Sequence, residues 1–209
     1  MLYGSVNPPV FGRIPRTARR ILDVGCGVGT LARAIRSEWP AQVVGITHTP
    51  EEAEQGRDVL EPAIVADLNV FDPTSLGQFD CIVCSHVLEH LVDPLNVLAR
   101  LRPCLSPQGR LIVALPNVLF WRQRLQFLRG RFQYTDGGLM DRTHLRFFDW
   151  QTARDLIPRA GLRIQEAAVD GGFPGSRLLG PLRPSLDALA TRLAPGLFGW
   201  QFVVTAVHP

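Results

Sequence analysis

Histidine is the side chain whose ordinary pKa, ~6.5, suits it to moving a proton near neutral pH. Four of the five histidines in this chain stand in informative company. His86 and His90 flank Glu89 in Ser85-His86-Val87-Leu88-Glu89-His90-Leu91, and a spacing of four residues would place the two rings one helical turn apart. His144 lies in Asp141-Arg142-Thr143-His144-Leu145-Arg146-Phe147-Phe148, among a carboxylate and two guanidinium groups. His48 lies in Gly45-Ile46-Thr47-His48-Thr49-Pro50-Glu51-Glu52, and His208 is terminal and uninformative. All 22 basic residues are arginine, so lysine chemistry such as a Schiff base is excluded. Cys81-x-x-Cys84 has the spacing of a redox or zinc pair. It falls inside the apolar run from Phe79, however, and residues three apart on a strand point to opposite faces. The two read as buried free thiols.

A second chemistry-bearing stretch is Ile21-Leu22-Asp23-Val24-Gly25-Cys26-Gly27-Val28-Gly29-Thr30. Apolar residues lead into a carboxylate, and three glycines follow at alternate positions. This spacing predicts a strand (Arg20 to Val24) turning sharply into a helix (about Thr30 to Ser37). Glycines there permit positive φ and let a ligand lie against bare peptide groups near a helix N-terminus. Dinucleotide-binding folds share such turns, so the turn alone is not specific. Asp23 would repel a pyrophosphate and can hold a cationic group instead.

Strand and helix patterns alternate around these residues. Further strands are predicted at Gln42 to Ile46, Ala63 to Ala66, Asp80 to Cys84 and Arg110 to Ala114. Helices are predicted after Thr49-Pro50-Glu51-Glu52, a capping-box sequence, and from Pro94 to Arg102. The alternation predicts parallel βαβ units with helices on both faces. Beyond them, 117–150 is rich in arginine and aromatics and fits no strand. A helix from Trp150 to Ala160 and a strand from Leu162 to Val169 precede a Gly/Pro-rich stretch, 170–199, with a short helix from Ser185 to Leu193. The apolar run Gln201 to Val207 closes the chain. Phe120 to Arg129 reads as an amphipathic helix with Trp121, Leu125 and Leu128 on one face.

The length of 209 residues suits one domain, and 46% hydrophobic with 20% charged residues is ordinary for a globular protein. A net charge of +3 is too small to indicate nucleic acid. No apolar run reaches the ~20 residues that span a bilayer, and the first twenty residues lack a signal-peptide core. The expectation is a cytoplasmic monomer or homodimer with a small-molecule partner and neither membrane nor nucleic acid.

The glycine turn resembles the first motif, D-x-G-x-G-x-G, of class I S-adenosylmethionine (SAM) dependent methyltransferases, and S-x-V-L-E-H-L after the fourth strand is similar to another segment of that family. The resemblance implies an α/β fold: a doubly wound, Rossmann-like seven-stranded sheet with its last strand antiparallel, in a three-layer α/β/α sandwich. It implies a single methyltransferase domain over 1–209, with 117–150 and 170–199 as lid and acceptor-site insertions. It implies SAM as cofactor, with Asp23, Gly25, Cys26 and Gly27 at its methionine end, Thr47, His48 and Glu52 at the ribose, Asp67 and Leu68 at the adenine, and Ser85 at the far side. Thr47 departs from the family, which usually carries Asp or Glu there. A hydroxyl cannot replace a bidentate carboxylate. Glu52 is the candidate substitute; otherwise it only closes the capping box with Thr49.

The segment Asp141 to Phe148, with Leu125 to Met140 before it, resembles a subgroup associated with glycan or secondary-metabolite synthesis, including antibiotics. This implies a lid over the acceptor, with His144 as first candidate for general base, His86 as second, and Asp141 beside them. Arg142 or Arg146 would bind an anionic acceptor group. The alternative is a polar cluster of Asp141, Arg142 and His144 that only pins the lid. His86-x-x-Glu89-His90 with His144 also resembles the E-x-x-E-H…H arrangement of some metal-dependent O-methyltransferases, but L-E-H-L is common in metal-free relatives, and the expectation is no metal. The activity implied is methylation of a hydroxyl, or an amine, of a small molecule. Two other readings stay open: a non-catalytic SAM-fold partner subunit, prompted by Thr47, and an RNA methyltransferase, prompted by the arginine-rich lid.

Overall fold

The computed structural model describes residues 5–209. Its centre is one seven-stranded sheet in the order β3-β2-β1-β4-β5-β7-β6. The strands are β1 (Arg20–Val24), β2 (Gln42–Thr47), β3 (Ala63–Val65), β4 (Phe79–Ser85), β5 (Leu105–Pro116), β6 (Arg163–Gly171) and β7 (Gly199–Val207). β1 to β5 pair in parallel. β7 inserts between β5 and β6 and runs antiparallel to both, as the resemblance implied. The helices are α1 (Pro8–Phe11), α2 (Thr30–Glu38), α3 (Pro50–Gly56), α4 (Pro94–Leu101), α5 (Trp121–Leu128), α6 (Trp150–Arg159), α7 (Arg183–Leu193) and α8 (Pro195–Phe198).

The parallel strands are apolar on both faces because helices cover both. The period of two then sorts each strand into two cores. Leu22, Val24, Val44, Ile46, Ile82 and Cys84 pack with Leu98, Leu101 and Leu156 on one side. Ile21, Val43, Cys81 and Val83 pack with Ile35 and Trp39 on the other. Cys81 and Cys84 therefore point into opposite layers, and burial raises both thiols above their ordinary pKa, which makes them inert. All four cysteines are free and buried.

Two elements differ from expectation. β5 begins at Leu105, not Arg110, because Leu105 pairs with Phe79 across a bulge that admits the polar run Ser106 to Gly109. α5 buries none of its residues, and Leu125 (41%) and Leu128 (83%) face solvent. The helix is tied down at its start instead, where Trp121 Nε1 donates to Gly172 O at 3.0 Å and Arg124 Nε donates to Leu119 O at 2.6 Å.

α6 starts in a full capping box, in which Asp149 Oδ1 accepts from Thr152 N at 2.8 Å and Thr152 Oγ1 accepts from Asp149 N at 2.9 Å. Asp149→Ala should therefore cost about 1 kcal/mol in urea denaturation, with an unchanged m-value. Among the described residues no helix is long and apolar enough to cross a membrane.

Candidate active site

Three strands end side by side at the centre of the sheet, and their carboxyl ends are where open α/β sheets take ligands. The turn after β1 carries Gly25, Gly27 and Gly29 at φ of 77°, 50° and 77°. Gly25 N and Cys26 N both donate to Ile46 O, at 2.8 and 3.0 Å, which straps the turn to β2. A Cβ at Gly25 would lie 2.8 Å from Val87 Cγ2, so the segment after β4 rests directly on this turn. A Cβ at Gly27 would meet nothing within 4 Å, so its peptide faces open space. Cys26 is buried, with a side chain that packs against Gly45.

Asp23 is 4% exposed, and burial alone pushes its carboxyl up to about 7. Among the described residues, no side chain forms a hydrogen bond or ion pair with it. A buried carboxylate without a donor or cation is costly, and a ligand ammonium would relieve that cost.

At the end of β2, the Thr47 hydroxyl donates to a Glu52 carboxylate oxygen. Glu52 N donates to Thr49 Oγ1 at 3.3 Å, so only half of the expected capping box forms. The Glu52 side chain is held instead at the β2 terminus, where a ribose partner is expected. His48 is exposed beside it. After β3, Asp67 Oδ1 accepts from Asn69 N and Asn69 Nδ2, both at 2.9 Å. Those bonds hold the Asp67 pKa below its ordinary value. Asp67 thus starts a turn and keeps its second oxygen outward. Leu68 packs its side chain on the core and receives Arg100 Nη2 on its carbonyl at 2.8 Å.

β4 delivers Ser85 and His86. Ser85 Oγ accepts a long bond from Asn7 Nδ2 at 3.5 Å. His86 has φ of 55°, and such left-handed backbone in a residue other than glycine costs roughly 1–3 kcal/mol and tends to cluster at functional sites. Its ring stacks on Trp200, with centroids 5.8 Å apart. Nδ1 lies 3.3 Å from Glu89 Oε1, and Nε2 lies 2.9 Å from Gln201 Oε1. The Gln201 amide is oriented by its own donation to Asp170 Oδ2 at 2.9 Å, and Trp200 Nε1 donates to the same oxygen at 3.1 Å. Both ring nitrogens of His86 therefore face acceptors, an arrangement that suits the imidazolium. Burial opposes that charge, but Glu89 and Gln201 outweigh it and hold the pKa above its ordinary value. Held between Glu89 and Gln201, His86 clamps the Glu89 carboxylate.

The loop that carries Asp141 to Arg146 packs against this segment. Leu145 N and Arg146 N donate to Glu89 O at 2.8 and 2.9 Å. Asp141 Oδ1 accepts from Thr143 N at 2.8 Å and from Thr143 Oγ1 at 2.7 Å. Burial alone would raise the Asp141 pKa, but these bonds outweigh it and bring it below the ordinary value. Asp141 thus braces the loop. Arg146 donates through Nε and Nη2 to Val92 O at 3.0 and 2.5 Å, and Arg142 pairs with Asp136 at 2.9 Å. Both guanidinium groups are thus engaged within or beside this loop.

His144 is 8% exposed and its Nδ1 is buried without a partner. Burial, together with nearby His90, holds its pKa below the ordinary value against the pull of Glu89 and Asp141. Its ring meets His90 edge-on, with centroids 4.8 Å apart. Glu89 is 1% exposed, and its Oε2 also lacks a partner.

The structure thus places Asp23, Gly25, Cys26 and Gly27, then Thr47 with Glu52, and then Ser85 with His86 at the carboxyl ends of β1, β2 and β4, with the loop of Asp141 and His144 tied to Glu89 beside them. Sequence reasoning gave no role at the site to Asn7, Asp170, Trp200 and Gln201, which surround His86 from distant parts of the chain. One signal was present: Gln201 is a polar residue, 1% exposed, in a strand that is apolar but for it and Thr205.

Residues 8–167 match the family described as "Methyltransferase domain". A ubiquinone biosynthesis O-methyltransferase from Xanthomonas campestris pv. campestris is 34% identical over 114 residues, covering 52% of this chain and 47% of the relative. A 37.1 kDa protein in transposon TN4556 of Streptomyces fradiae is 36% identical over 110 residues, covering 49% of this chain and 31% of that protein. The chain spans less than half the length of these curated relatives. Among solved structures, an S-adenosylmethionine dependent methyltransferase from Mesorhizobium loti superposes with a TM-score of 0.64 at 17% identity, over 95% of each chain. Magnesium protoporphyrin IX methyltransferase from Synechocystis, with bound S-adenosylhomocysteine, gives a TM-score of 0.62 at 17% identity, over 95% of this chain and 77% of its own. At these identities the likeness is one of fold.

Proposed function

The chain belongs to the methyltransferase-domain family, and from that membership we propose that it transfers a methyl group from SAM to a hydroxyl of a small molecule. SAM supplies an electrophilic methyl on a sulfonium, which an oxygen nucleophile displaces in line. The residues present fit such a donor. Asp23 offers a buried carboxylate to an ammonium, Gly27 a bare peptide face, Glu52 an acceptor to the ribose hydroxyls, and Asp67 with Leu68 the adenine edge.

The observation that carries the acceptor reading is the unpartnered Nδ1 of His144, buried under the lid beside Glu89 and one short segment from the glycine turn. A hydroxyl acceptor gains from a base at that point. His144 Nδ1 would take its proton, Asp141 would position the loop that holds the ring, and His86 would hold Glu89. The lid would exclude water, and positioning would supply much of the barrier reduction. The name of the ubiquinone biosynthesis relative supports an oxygen acceptor. A hydroxylated aromatic or a sugar-bearing secondary metabolite fits this reading.

An RNA acceptor has less support. In and beside the lid, Arg124, Arg142 and Arg146 are engaged by Leu119, Asp136 and Val92, and Arg122 lies over the Trp121 ring. The test is direct. The protein is incubated with SAM and a panel of catechols, phenols and glycosides. Formation of S-adenosylhomocysteine, with one acceptor gaining a single methyl on oxygen by mass spectrometry, is the expected result. Absence of calorimetric binding of S-adenosylhomocysteine would remove the premise.

A further inference from the structure

One ligand atom from each of Glu89, His90 and His144 lies within 4.8 Å of the other two. Five buried side-chain polar atoms lack a hydrogen-bond partner among the described residues, and two of them, Glu89 Oε2 and His144 Nδ1, belong to this trio. A buried carboxylate oxygen and a buried ring nitrogen left bare each cost of order 1–3 kcal/mol. Glu89 Oε2 is a lone-pair donor, and so is His144 Nδ1 when the ring proton sits on Nε2; in that tautomer neither satisfies the other. One cation between them would satisfy both. We propose that Glu89, His90 and His144 form a binding site for a divalent transition-metal ion.

The supports of the three residues are those a metal site needs. Ligating histidines commonly donate their other ring N–H to a carbonyl or carboxylate, which fixes the tautomer. His90 Nδ1 lies 3.2 Å from Thr143 O, an acceptor only, and this puts the lone pair of the neutral ring on Nε2. Glu89 Oε1 faces His86 Nδ1 at 3.3 Å, which orients the carboxylate and leaves Oε2 as the ligand oxygen. Glu89 and His90 share the short 3-10 turn Leu88–His90, and its carbonyl bonds to Leu145 N and Arg146 N carry the lid, and with it His144, onto that turn. Three donors bound to one ion at about 2.0–2.2 Å lie about 3.4–3.6 Å apart in tetrahedral or trigonal geometry, so closure from 4.8 Å asks for movements of up to about an ångström.

Two imidazoles and one carboxylate suit Mn, Fe, Co or Zn better than Mg or Ca, and they leave coordination positions open. On the methyl-transfer reading above, on which this role rests, an open position would take the acceptor oxygen. A coordinated hydroxyl loses its proton more readily, here to water, and His144 Nδ1 then serves as ligand and not as base. The expectation of a metal-free site gives way on this argument.

The test uses the whole protein stripped with a chelator and titrated with Co2+ and Mn2+. One equivalent of Co2+ should bind with a d–d absorption band, and Mn2+ should compete for it. Glu89→Gln and His144→Ala should each weaken Co2+ binding by tenfold or more while binding of S-adenosylhomocysteine stays within twofold, which reports an intact fold. Absence of stoichiometric binding by the wild type, or equal binding by both variants, overturns the site. Methyl transfer that survives exhaustive chelation, with no metal bound, would overturn the metal and leave the transferase reading standing. Metal binding without any binding of S-adenosylhomocysteine would do the reverse.

Discussion

Asp23→Asn lowers the affinity for S-adenosylhomocysteine by about 30-fold or more at pH 8 and flattens its pH dependence; this is the result expected if Asp23 holds the ligand's ammonium. Truncating one partner of a buried charge pair costs about 2–5 kcal/mol, and 2 kcal/mol is already about 30-fold. In the free protein burial pushes Asp23 up to about 7, so below pH 7 the carboxyl is mostly protonated and cannot pair with a cation. Wild-type affinity should therefore fall about tenfold per pH unit below 7, and binding near pH 6 should release a proton. Calorimetry in two buffers of different ionisation enthalpy measures both quantities. A wild-type affinity that is flat from pH 5.5 to 8.5 would show that Asp23 does not face the ligand's charge.

The same residue makes an opposite prediction for stability without ligand. Its folded pKa, about 7, lies above the ordinary 3.8. The folded state thus binds the proton more tightly than the unfolded state. The stability this gives is fully present below pH ~4, is lost as pH rises through 7, and is absent above that. Asp23→Asn has no such dependence, so at pH 8 the ligand-free variant should be the more stable protein while binding more weakly. A carboxylate kept in the core at a net cost to the fold is the trade expected of a binding residue.

What the residues disclosed before folding, and what they concealed, follows from the range of the interactions. The β1 turn was legible because glycines at positive φ and a strand's apolar run are local requirements. Cys81 and Cys84 were legible because a strand alternates its faces. The early start of β5 was hidden, since Leu105 pairs with Phe79 across a bulge that only the partner strand creates. The exposed face of α5 was hidden as well: its periodicity promises a buried stripe, yet its tethers lie at Trp121 and Arg124. Half of the surroundings of His86 were hidden for the same reason. Its Nε2 faces Gln201, 115 residues away, and that amide is oriented in turn by Asp170. Thr47 looked like a lost ribose ligand, but it donates to Glu52 and keeps that carboxylate at the strand end.

Alanine at Gly25 and at Gly27 should separate the two duties of the glycine turn. Both positions have positive φ, where a Cβ costs roughly 1–2 kcal/mol. At Gly25 the new methyl would also meet Val87 Cγ2 at 2.8 Å and Val87 Cβ at 3.0 Å. Overpacking of that kind adds about 1–3 kcal/mol. Val87 can yield only by shifting the turn that carries Glu89 and His90. Gly25→Ala should therefore lose about 2–5 kcal/mol in chemical denaturation and disturb the acceptor side along with the cofactor side. At Gly27 the methyl would meet nothing within 4 Å, so the loss of stability should stop at the backbone cost. If the open space above Gly27 is where the ligand lies, that methyl stands in it, and binding of S-adenosylhomocysteine should fall tenfold or more in a protein that remains folded. A larger stability loss in Gly25→Ala than in Gly27→Ala, with binding loss in both, is the expected pattern. Full affinity in Gly27→Ala would mean that the ligand does not touch the bare peptide, and the turn would then be a device for seating Val87 against β1.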